Sequence, residues 1–445
     1  MFRARNWIVI FLSLGFFLRC TGLDLGGEAF MPGIPHYGGE WELIFYDEFD
    51  GSSIDRNKWT TGYWWDRDGS NNGSSNEIQW YQADDVLVSN GTLKLRARER
   101  SVTAWDGSEY NYTSGIVTTG RETSDKSLPA KFLFQYGYAE IRCKVPKGQG
   151  LWPAFWLLPA THESRPEIDV MEILGHDTTE LNMNYHYLTT LGLRGDDGYD
   201  WFGPDFSEGW HTFAVDWQPH VIIWYVDGVE RWRFTDSKHI SHEPMYLIAN
   251  LAVGGDWPGD PDETTPFPSY FEIDYIKVWA RGKQIALSPT ADVFVHDSEP
   301  DVNYGSEPSL HVDGDPVKVS YIKFDASALA DKRITSVRLQ LNTSSLTHAG
   351  SPHGLLVALT GGDAWEEQDL NYHIRPTVLR GALGGLVETH PDTTYEVPLD
   401  VSIVQRRMGR TVSLALYTSE SDGVYLHARE NPAFGPKLLV TSIER

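Results

Sequence analysis

Residues 167–172 read Glu-Ile-Asp-Val-Met-Glu, so three acids fall within six residues of an otherwise apolar segment. The apolar residues between the acids favour an extended strand, where acids are rare and costly to bury together. On a regular strand Glu167 and Asp169 share one face, and Glu172 points to the other. The segment therefore predicts a strand whose acids are functional, provided that Glu172 lies on the same face as Glu167 and Asp169.

One extra residue in the strand would achieve this. A β-bulge around Val170 and Met171 returns Glu172 to the face of the other two acids. Ile168, Ile173 and one of the two bulge residues then face the core. We therefore expect a bulged strand in a sheet with one buried and one functional face.

Paired glutamates on one face suggest a specific chemistry. A retaining glycosidase needs a nucleophile and an acid/base with carboxyls about 5–5.5 Å apart. Five residues of straight strand span roughly 16 Å, so the strand must line a concave surface. A central aspartate would hydrogen-bond the nucleophile, and like-charge proximity in a partly dry cleft should raise the pKa of the acid/base. On these six residues alone, an acidic edge strand without chemistry remains an alternative.

The surrounding sequence predicts an all-β fold. From Trp41 to Trp279, short alternating or apolar runs are broken by Gly, Asn, Asp and Pro, and no long stretch has helical periodicity. A sandwich of two curved antiparallel sheets fits this pattern best. The predicted strands are Trp41–Tyr46, Thr92–Ala97, Tyr138–Val145, Ala154–Leu158, Ile168–Ile173, His211–Gln218, Val221–Val226, Met245–Ala252 and Phe271–Trp279.

A change of composition predicts a second domain. Seventeen tryptophans occur in the chain, but only Trp365 lies beyond residue 290, where short Val- and Leu-rich strands recur. We interpret residues 283–290 as a linker and residues 291–445 as a C-terminal β-sandwich. The strands predicted there are Ser320–Phe324, Ser336–Asn342, Leu355–Leu359, Val412–Tyr417 and Lys437–Ser442.

Charge limits the partners. The formal net charge of −25 argues against nucleic acid and anionic membranes, which require a basic surface. It also makes strongly anionic polysaccharides less attractive substrates. Solubility explains the acidity equally well, so charge alone does not identify the partner.

The N-terminus resembles a targeting segment. Arg3 and Arg5 precede an apolar run too short for a membrane span, and residues 1–28 are predicted to be a signal peptide of a secreted protein. Cys20 lies where a bacterial lipoprotein carries its lipidated cysteine, although Arg19 replaces the usual small residue. A cell-surface lipoprotein thus stays open. Cys143, in an alternating segment, is expected to be a buried core thiol.

Several motifs flank the acidic segment in a recognisable order. Together with it they resemble glycoside hydrolase family 16, in the bulged laminarinase type with Glu-x-Asp-x-x-Glu. The resemblance implies a β-jelly-roll catalytic domain over residues 36–282. The motifs are Asp47–Gly51, Asn76–Tyr81, Gln135–Gly137, Lys147–Pro159, Leu251–Gly259 and Asp274–Trp279.

The resemblance also implies roles for individual residues. Glu167 would be the nucleophile, Glu172 the general acid/base and Asp169 their assisting acid. His186 matches a histidine near the acid/base, with a structural histidine as the alternative. The remaining positions would bind substrate: Trp152 and Trp156 at the floor of the cleft, Trp257 as a stacking platform, and Asn76 and Glu77 as hydrogen-bonding groups.

Catalysis of this type requires no cofactor. A structural calcium ion is common in the family, and Glu48, Gly91 and Asp274 lie near its expected ligands. We retain this calcium site as an expectation.

One position departs from the laminarinase pattern. Many laminarinases carry Arg after Tyr-Thr-Ser-Gly, whereas Tyr112–Gly115 is followed here by Ile116. This favours a broader endo-β-1,3(4)-glucanase over strict laminarin specificity. The short insert at residues 160–166 should leave the cleft open.

The expected function is thus hydrolysis of a β-glucan by a secreted, monomeric enzyme. Alternatives are a family 16 hydrolase of agar, carrageenan or galactan, and a non-catalytic glucan-recognition protein, although recognition relatives tend to lose the acids that are present here. Residues 290–445 resemble DNRLRE-type or family 96 carbohydrate-binding domains through Asn303–Gly305, Tyr321–Asp325 and Trp365–Glu367. A spacer or surface-attachment role for that domain stays open.

Overall fold

The computed structural model describes residues 40–64, 70–71, 73–125, 127–161, 163–379 and 381–444. The signal-peptide prediction and Cys20 lie outside these residues. The described chain is almost entirely β, as predicted, and its strands form two sandwiches that follow one another along the sequence. Within these residues, no helix is long and apolar enough to cross a membrane.

Sixteen strands of the described chain build the first sandwich. One sheet has ten strands, in the order β14-β13-β12-β7-β16-β4-β5-β2 with β1 on β16 and β3 on β4; the other has six, in the order β11-β10-β9-β8-β15-β6. Pairing is antiparallel except between β2 and β5. The strands are β1 (Trp41–Asp47), β2 (Gln79–Tyr81), β3 (Val86–Ser89), β4 (Thr92–Thr103), β5 (Glu109–Ser114), β6 (Ile116–Thr118), β7 (Gly137–Lys144), β8 (Leu151–Pro159), β9 (Glu167–Glu172), β10 (Glu180–Leu188), β11 (Arg194–Phe202), β12 (His211–Gln218), β13 (Val221–Val226), β14 (Val229–Phe234), β15 (Met245–Val253) and β16 (Ser269–Arg281).

All nine predicted strands of this domain are confirmed, with boundaries that differ by a few residues. The hairpin of β10 and β11 was not predicted. In β10 the signal was present, because Leu181, Met183 and Tyr185 alternate with polar residues and are fully buried. By contrast, β11 is rich in Asp and Gly. It is a strand because it pairs with β10 along its whole length at the sheet edge.

The two sheets enclose one apolar core. Cys143 on β7 belongs to this core and is completely buried, as predicted, and burial raises the pKa of its thiol well above the usual value. Such a thiol is a packing group and not a reactive one.

The second sandwich consists of a four-stranded and a seven-stranded sheet within the described residues. The first has the order β17-β27-β21-β24, and the second has β23-β22-β25-β20-β19-β26 with β18 on β20. A separate core of Leu, Val and Ile fills the space between them. The elements are β17 (Lys283–Leu287), β18 (Pro289–His296), β19 (Ser309–Gly314), β20 (Val317–Asp325), β21 (Lys332–Asn342), β22 (Leu355–Leu359), β23 (Gly384–Leu386), β24 (Thr394–Pro398), α1 (Val401–Val404), β25 (Thr411–Tyr417), β26 (Val424–His427) and β27 (Lys437–Glu444).

The linker prediction for residues 283–290 is wrong. The segment forms β17, which pairs with β27 from the C-terminus, and the start of β18. Gly282 links it to the first sandwich with φ +128°, and a Cβ there would lie 2.3 Å from the Ser442 carbonyl oxygen. This position therefore needs glycine. Sequence composition could not reveal the linkage because it depends on pairing with a strand 150 residues away.

Side chains join the two sandwiches at their contact. Asn57 accepts hydrogen bonds from the backbone N–H groups of Val387 (2.8 Å) and Glu388 (3.2 Å) and donates to the Glu388 carbonyl at 3.0 Å. Arg338, which is buried, donates to the Leu43 carbonyl at 3.4 Å. Polar groups at the contact lose their hydrogen bonds to water, and these bonds replace them.

We predict that Asn57→Ala lowers the free energy of unfolding by about 1–3 kcal/mol, because three backbone partners lose their hydrogen bonds. The control is Arg56→Ala, which removes a neighbouring ion pair to Glu388 of 3.8 Å from a largely exposed side chain. That change should cost less than about 0.5 kcal/mol. Denaturant unfolding measures both. Equal effects of the two variants would contradict a docking role for Asn57.

Candidate active site

The strand β9 carries the predicted bulge. Asp169 and Glu172 are three residues apart, yet on β8 they pair with Trp156 and Ala154, which are only two apart. The same shift occurs against β10. The buried indole N–H of Trp224, from the opposite sheet, donates to the Asp169 carbonyl at 2.8 Å. The extra residue thus brings Glu172 back to the face of the other acids while the backbone remains bonded.

The core side of the bulge differs in one detail from the expectation. Both Val170 and Met171 are buried in the sandwich core, together with Ile168 and Ile173. A bulge lets two successive residues occupy the space opposite one partner residue. The strand is therefore anchored by four apolar side chains.

The three acids line one cavity of about 500 Å³. Asp169 is buried, whereas Glu167 and Glu172 are half-buried. An oxygen of Glu167, an oxygen of Asp169 and a ring nitrogen of His186 all lie within 4.8 Å of one another. The described residues bring together all three acids that the sequence singled out.

Burial sets the protonation of these acids. It raises the pKa of Glu172 to about 8, with a further contribution from the charge of Asp169. Burial likewise raises the pKa of Asp169 to about 8, and the pKa of Glu167 is raised by burial and then by Asp169. His186 and Arg165 act in the opposite direction on Glu167. The expected increase for Glu172 is thus present, and desolvation is its main cause.

The neighbouring strand β10 supplies polar partners in register. Asn182, Asn184 and His186 pair with Glu172, Asp169 and Glu167, respectively. The Asn184 amide donates to Glu172 Oε2 at 2.9 Å and opposes the increase in its pKa. Sequence reading missed Asn184, although the alternation of β10 would have placed it on the same face as His186.

His186 pairs with Glu167 in the ladder of β9 and β10 and also acts electrostatically on Glu172. Its Nε2 is 3.1 Å from Asp169 Oδ2 and 3.8 Å from Glu167 Oε1. Its Nδ1 is 2.5 Å from Asp196 Oδ1 on β11, and Arg165 Nη1 is 2.7 Å from the same oxygen. The hydrogen bond with His186, together with Arg165, keeps the pKa of Asp196 low. An ionised Asp196 accepts a hydrogen bond from the Nδ1–H form of His186, which leaves Nε2 facing the acids.

Asp196 and Arg165 were missed because both signals are tertiary. Asp196 lies on the unpredicted edge strand β11, and Arg165 lies in the short insert at residues 160–166. Glu163 and Ser164 of this insert line the cavity as well. The insert is therefore short, as expected, and also forms part of the wall of the cavity.

Aromatic and polar groups complete the cavity. The Trp156 indole donates to Asn250 Oδ1 at 2.7 Å, and Asn250 donates to the Tyr81 hydroxyl at 2.9 Å. Glu77 is buried in the cavity wall, where Gln79 donates to its carboxylate at 2.5 Å. This network fixes the plane of Trp156 on the cavity floor.

The other predicted binding residues lie at the margin. Trp152 lines the cavity and meets Trp257 edge-to-face, with ring centroids 5.2 Å apart. Trp257 is 44% exposed and borders an adjoining recess. Asn76 donates to Asp256 Oδ2 at 2.9 Å at the surface. Stacking by Trp257 and hydrogen bonding by Asn76 remain predictions.

Ile116 is fully buried and packs in an apolar cluster with Trp156 and Tyr246, which line the cavity. Its side chain supports the cavity floor and offers no hydrogen-bond donor. The position thus lacks the guanidinium group that laminarinase-type sequences place there.

The calcium site stays a prediction, and the two carboxylates predicted to bind the ion are each paired with a cation. Glu48 Oε1 lies 2.7 Å from Lys277 Nζ, and Asp274 forms an ion pair with Arg142. Gly91 lies in the turn between β3 and β4. Each carboxylate is neutralised by a cation, so a calcium ion would have to displace both. No step below uses a metal.

A second acidic group lies in the C-terminal domain, where ligand atoms of Asp292, Glu367 and Glu430 come within 4.8 Å of one another. Arg429 neutralises part of this acidic cluster, because its guanidinium donates to both oxygens of Glu367 at 2.5 and 2.6 Å. Burial raises the pKa of Asp292 to about 7. The arrangement is a structural ion-pair network.

Chemically, the cavity offers Glu172, which like Asp169 keeps its proton near neutral pH, and Glu167, whose ionised form is favoured by His186 and Arg165. Two such groups on one face can act as acid and nucleophile toward a glycosidic bond. The flat rings of Trp152 and Trp156 beside them offer apolar surface to a sugar.

Comparison with known proteins agrees with this arrangement. The model of glycosyl hydrolases family 16 matches residues 74–277, and that of carbohydrate-binding module family 96 matches residues 283–442. The second match begins at residue 283, the first residue of β17, so the segment predicted to be a linker is part of the C-terminal domain.

Curated relatives match the first domain. A glucan endo-1,3-beta-glucosidase A1 of Niallia circulans is 32% identical over 53% of this chain and 37% of its own length. An endo-1,3-1,4-beta-glycanase ExsH of Rhizobium meliloti is 34% identical over 53% and 51%. A beta-glucanase of Rhodothermus marinus is 31% identical over 54% and 85%. The chain thus spans 37% and 51% of the length of the first two relatives and 85% of the third.

Among solved structures, the catalytic domain of an endo-1,3-beta-glucanase (laminarinase) from Thermotoga petrophila is 35% identical, with 55% of this chain and 100% of that chain covered and a TM-score of 0.48. From the family match, the relatives and the acids on their bulged strand, it follows that this chain belongs to glycoside hydrolase family 16.

Proposed function

We propose that the protein is an exported endo-β-1,3(4)-glucanase that hydrolyses internal bonds of β-glucans with retention of anomeric configuration. The observation that carries the proposal is the bulge of β9, which directs Glu167, Asp169 and Glu172 into one cavity floored by tryptophan. The relatives with glucanase names share this domain.

The first half of the reaction cleaves the glycosidic bond. Glu172, whose pKa of about 8 keeps it protonated near neutral pH, donates its proton to the glycosidic oxygen as the bond to the anomeric carbon breaks. Glu167 attacks that carbon and forms a covalent glycosyl-enzyme intermediate. Burial raises the pKa of Glu167 as well, but His186 and Arg165 oppose this rise and favour the carboxylate that attacks. Asp169, with a pKa of about 8, retains a proton and adds no negative charge beside it.

The second half releases the sugar. Glu172, now ionised, takes a proton from water, and the resulting oxygen nucleophile displaces Glu167 from the anomeric carbon. Two inversions give net retention. His186, oriented by Asp196, contacts Asp169 and Glu167 and favours the ionised nucleophile to which the enzyme returns.

The neutral polymer fits the remaining features. The cavity is lined by Trp152, Trp156 and hydrogen-bonding groups, and the insert contributes Glu163, an acid that would repel an anionic sugar. Export through the predicted signal peptide agrees with an insoluble or high-molecular-weight substrate. The absence of arginine at position 116 supports activity on mixed-linkage glucan as well as laminarin.

Product analysis on a panel of polymers tests the proposal directly. We expect release of reducing oligosaccharides from laminarin and from mixed-linkage barley β-glucan, with fast loss of viscosity in the latter because cleavage is internal. Agarose, carrageenan and galactan should remain intact. Activity confined to one of these last three polymers would contradict the glucanase assignment.

Substitution of either glutamate should abolish turnover without loss of the fold. We expect Glu167→Gln and Glu172→Gln each to lower kcat on laminarin by at least about 10²-fold, since each removes a group required in the transition state. Proton NMR of the early product from the unmodified enzyme should show the β-anomer. Near-normal activity of either variant, or an inverted early product, would refute the mechanism.

The alkaline limb of the activity profile should report Glu172. Because the acid must be protonated, kcat/KM should fall as pH rises through about 8. Asn184→Ala removes a hydrogen bond that favours the ionised carboxylate, so the limb should move to higher pH. Asn182→Ala is the matched control, because it changes the strand neighbour of Glu172 but leaves that bond in place. A limb that moves to lower pH in Asn184→Ala would contradict this role of Asn184.

A further inference from the structure

A row of aromatic and imidazole rings covers the outer face of β19 and β26 in the second domain. Along both strands alternate residues enter the core, so the residues between them must face outward. Two pairs of outward residues lie directly opposite each other across the ladder: His311 pairs with Tyr425, and Ser309 pairs with His427. The inward residues, which are buried, are Leu310, Val312, Val424 and Leu426.

Ring contacts make this row continuous. Phe294 stacks on Tyr304 and on His311, with centroids 4.2 and 4.3 Å apart. His311 meets Tyr425 at 4.5 Å, and His348 meets the other side of that pair at 5.2 Å from Tyr425. Rings that support one another in this way lose little conformational entropy when a ligand stacks on them.

Phe434 extends the row with an exposed ring, 5.4 Å from His427. The ring is 52% exposed, although its backbone is held tightly. The Phe434 N–H donates to the Asn431 carbonyl at 3.2 Å, and its own carbonyl accepts from Asn342 at 2.8 Å. An exposed aromatic ring that adjoins other rings extends a contiguous patch, and such a patch indicates a contact surface. We call the surface formed by Tyr304, His311, His348, Tyr425, His427 and Phe434 the aromatic face, and the buried ring of Phe294 packs against Tyr304 and His311 within it.

The charges around the aromatic face suit a neutral ligand. Lys318 lies over the Tyr425 ring, but its ammonium is 4.0 Å from Asp313. Glu299 adds a negative charge beside Tyr304. Burial lowers the pKa of His311 to about 4, so this imidazole is neutral at physiological pH. An anionic polymer would require free cations, and the cation here is already compensated.

We propose that the aromatic face binds a neutral β-glucan chain. A sugar ring would stack on the exposed ring of Phe434, because the face of a pyranose is flat and apolar. The hydroxyl of Ser309, which lies 2.9 Å from His311 Nε2, and the imidazole of His427 would hydrogen-bond sugar hydroxyls. The whole face falls within the carbohydrate-binding module match. The choice of β-glucan rests on the function proposed for the catalytic domain, since one chain carries both.

The test compares attachment of full-length variants to insoluble β-1,3-glucan (curdlan) at low temperature. We expect Phe434→Ala combined with His427→Ala to weaken binding by about tenfold or more, as for loss of a central contact. Phe434→Trp keeps a flat ring and should retain binding. Ile374→Ala is the matched control, since Ile374 is an equally exposed apolar side chain of the same domain outside the aromatic face.

The outcomes separate this inference from the proposed function. Hydrolysis of soluble laminarin should be the same in every variant, because none of them touches the catalytic cavity. Unchanged curdlan binding by the double variant, or equal loss in Ile374→Ala, would overturn the aromatic face as a site. Binding of the unmodified chain to alginate but not to curdlan would overturn the neutral ligand. Absence of glucan hydrolysis together with ring-dependent curdlan binding would instead contradict only the proposed catalytic function.

Discussion

The site depends on one backbone constraint, the extra residue in β9. The strand is paired on both sides, so its register cannot slip, and the bulge is the way in which Glu172 can share a face with Glu167. Trp224 stabilises this geometry from the opposite sheet, because its indole N–H donates a hydrogen bond to the Asp169 carbonyl. The bulge that deforms the strand is therefore also what places the three acids on one face.

Burial of three carboxyls on that face creates the electrostatics of the site. Desolvation favours their neutral forms, and it is the largest cause of the raised pKa values of Glu172 and Asp169. The adjoining strands then distinguish the acids. His186 favours the ionised forms of both glutamates, Arg165 favours that of Glu167 alone, and Asn184 donates a hydrogen bond to Glu172. Two chemically identical glutamates thereby acquire the different environments that acid and nucleophile require.

Strand pairing and side-chain hydrogen bonds attach the second sandwich to the first, in place of a flexible linker. Strand pairing begins one residue after Gly282, and Asn57 and Arg338 bond across the contact. If the aromatic face holds a glucan chain, this attachment limits how far the bound polymer lies from the catalytic cavity. A flexible linker would permit a wider search but a lower effective concentration of substrate.

The sequence by itself determined the β architecture, the bulge and the three acids that line the cavity. Alternation, turn residues and the parity of Glu167 and Glu172 are local, and local patterns report directly on which face a strand residue occupies. Tertiary structure decided which groups meet those acids. Asp196 reaches His186 through the pairing of β10 with β11, and residues 283–287 become a strand through pairing with β27. Such contacts join segments far apart in the chain, and neither composition nor periodicity encodes the partner of an edge strand.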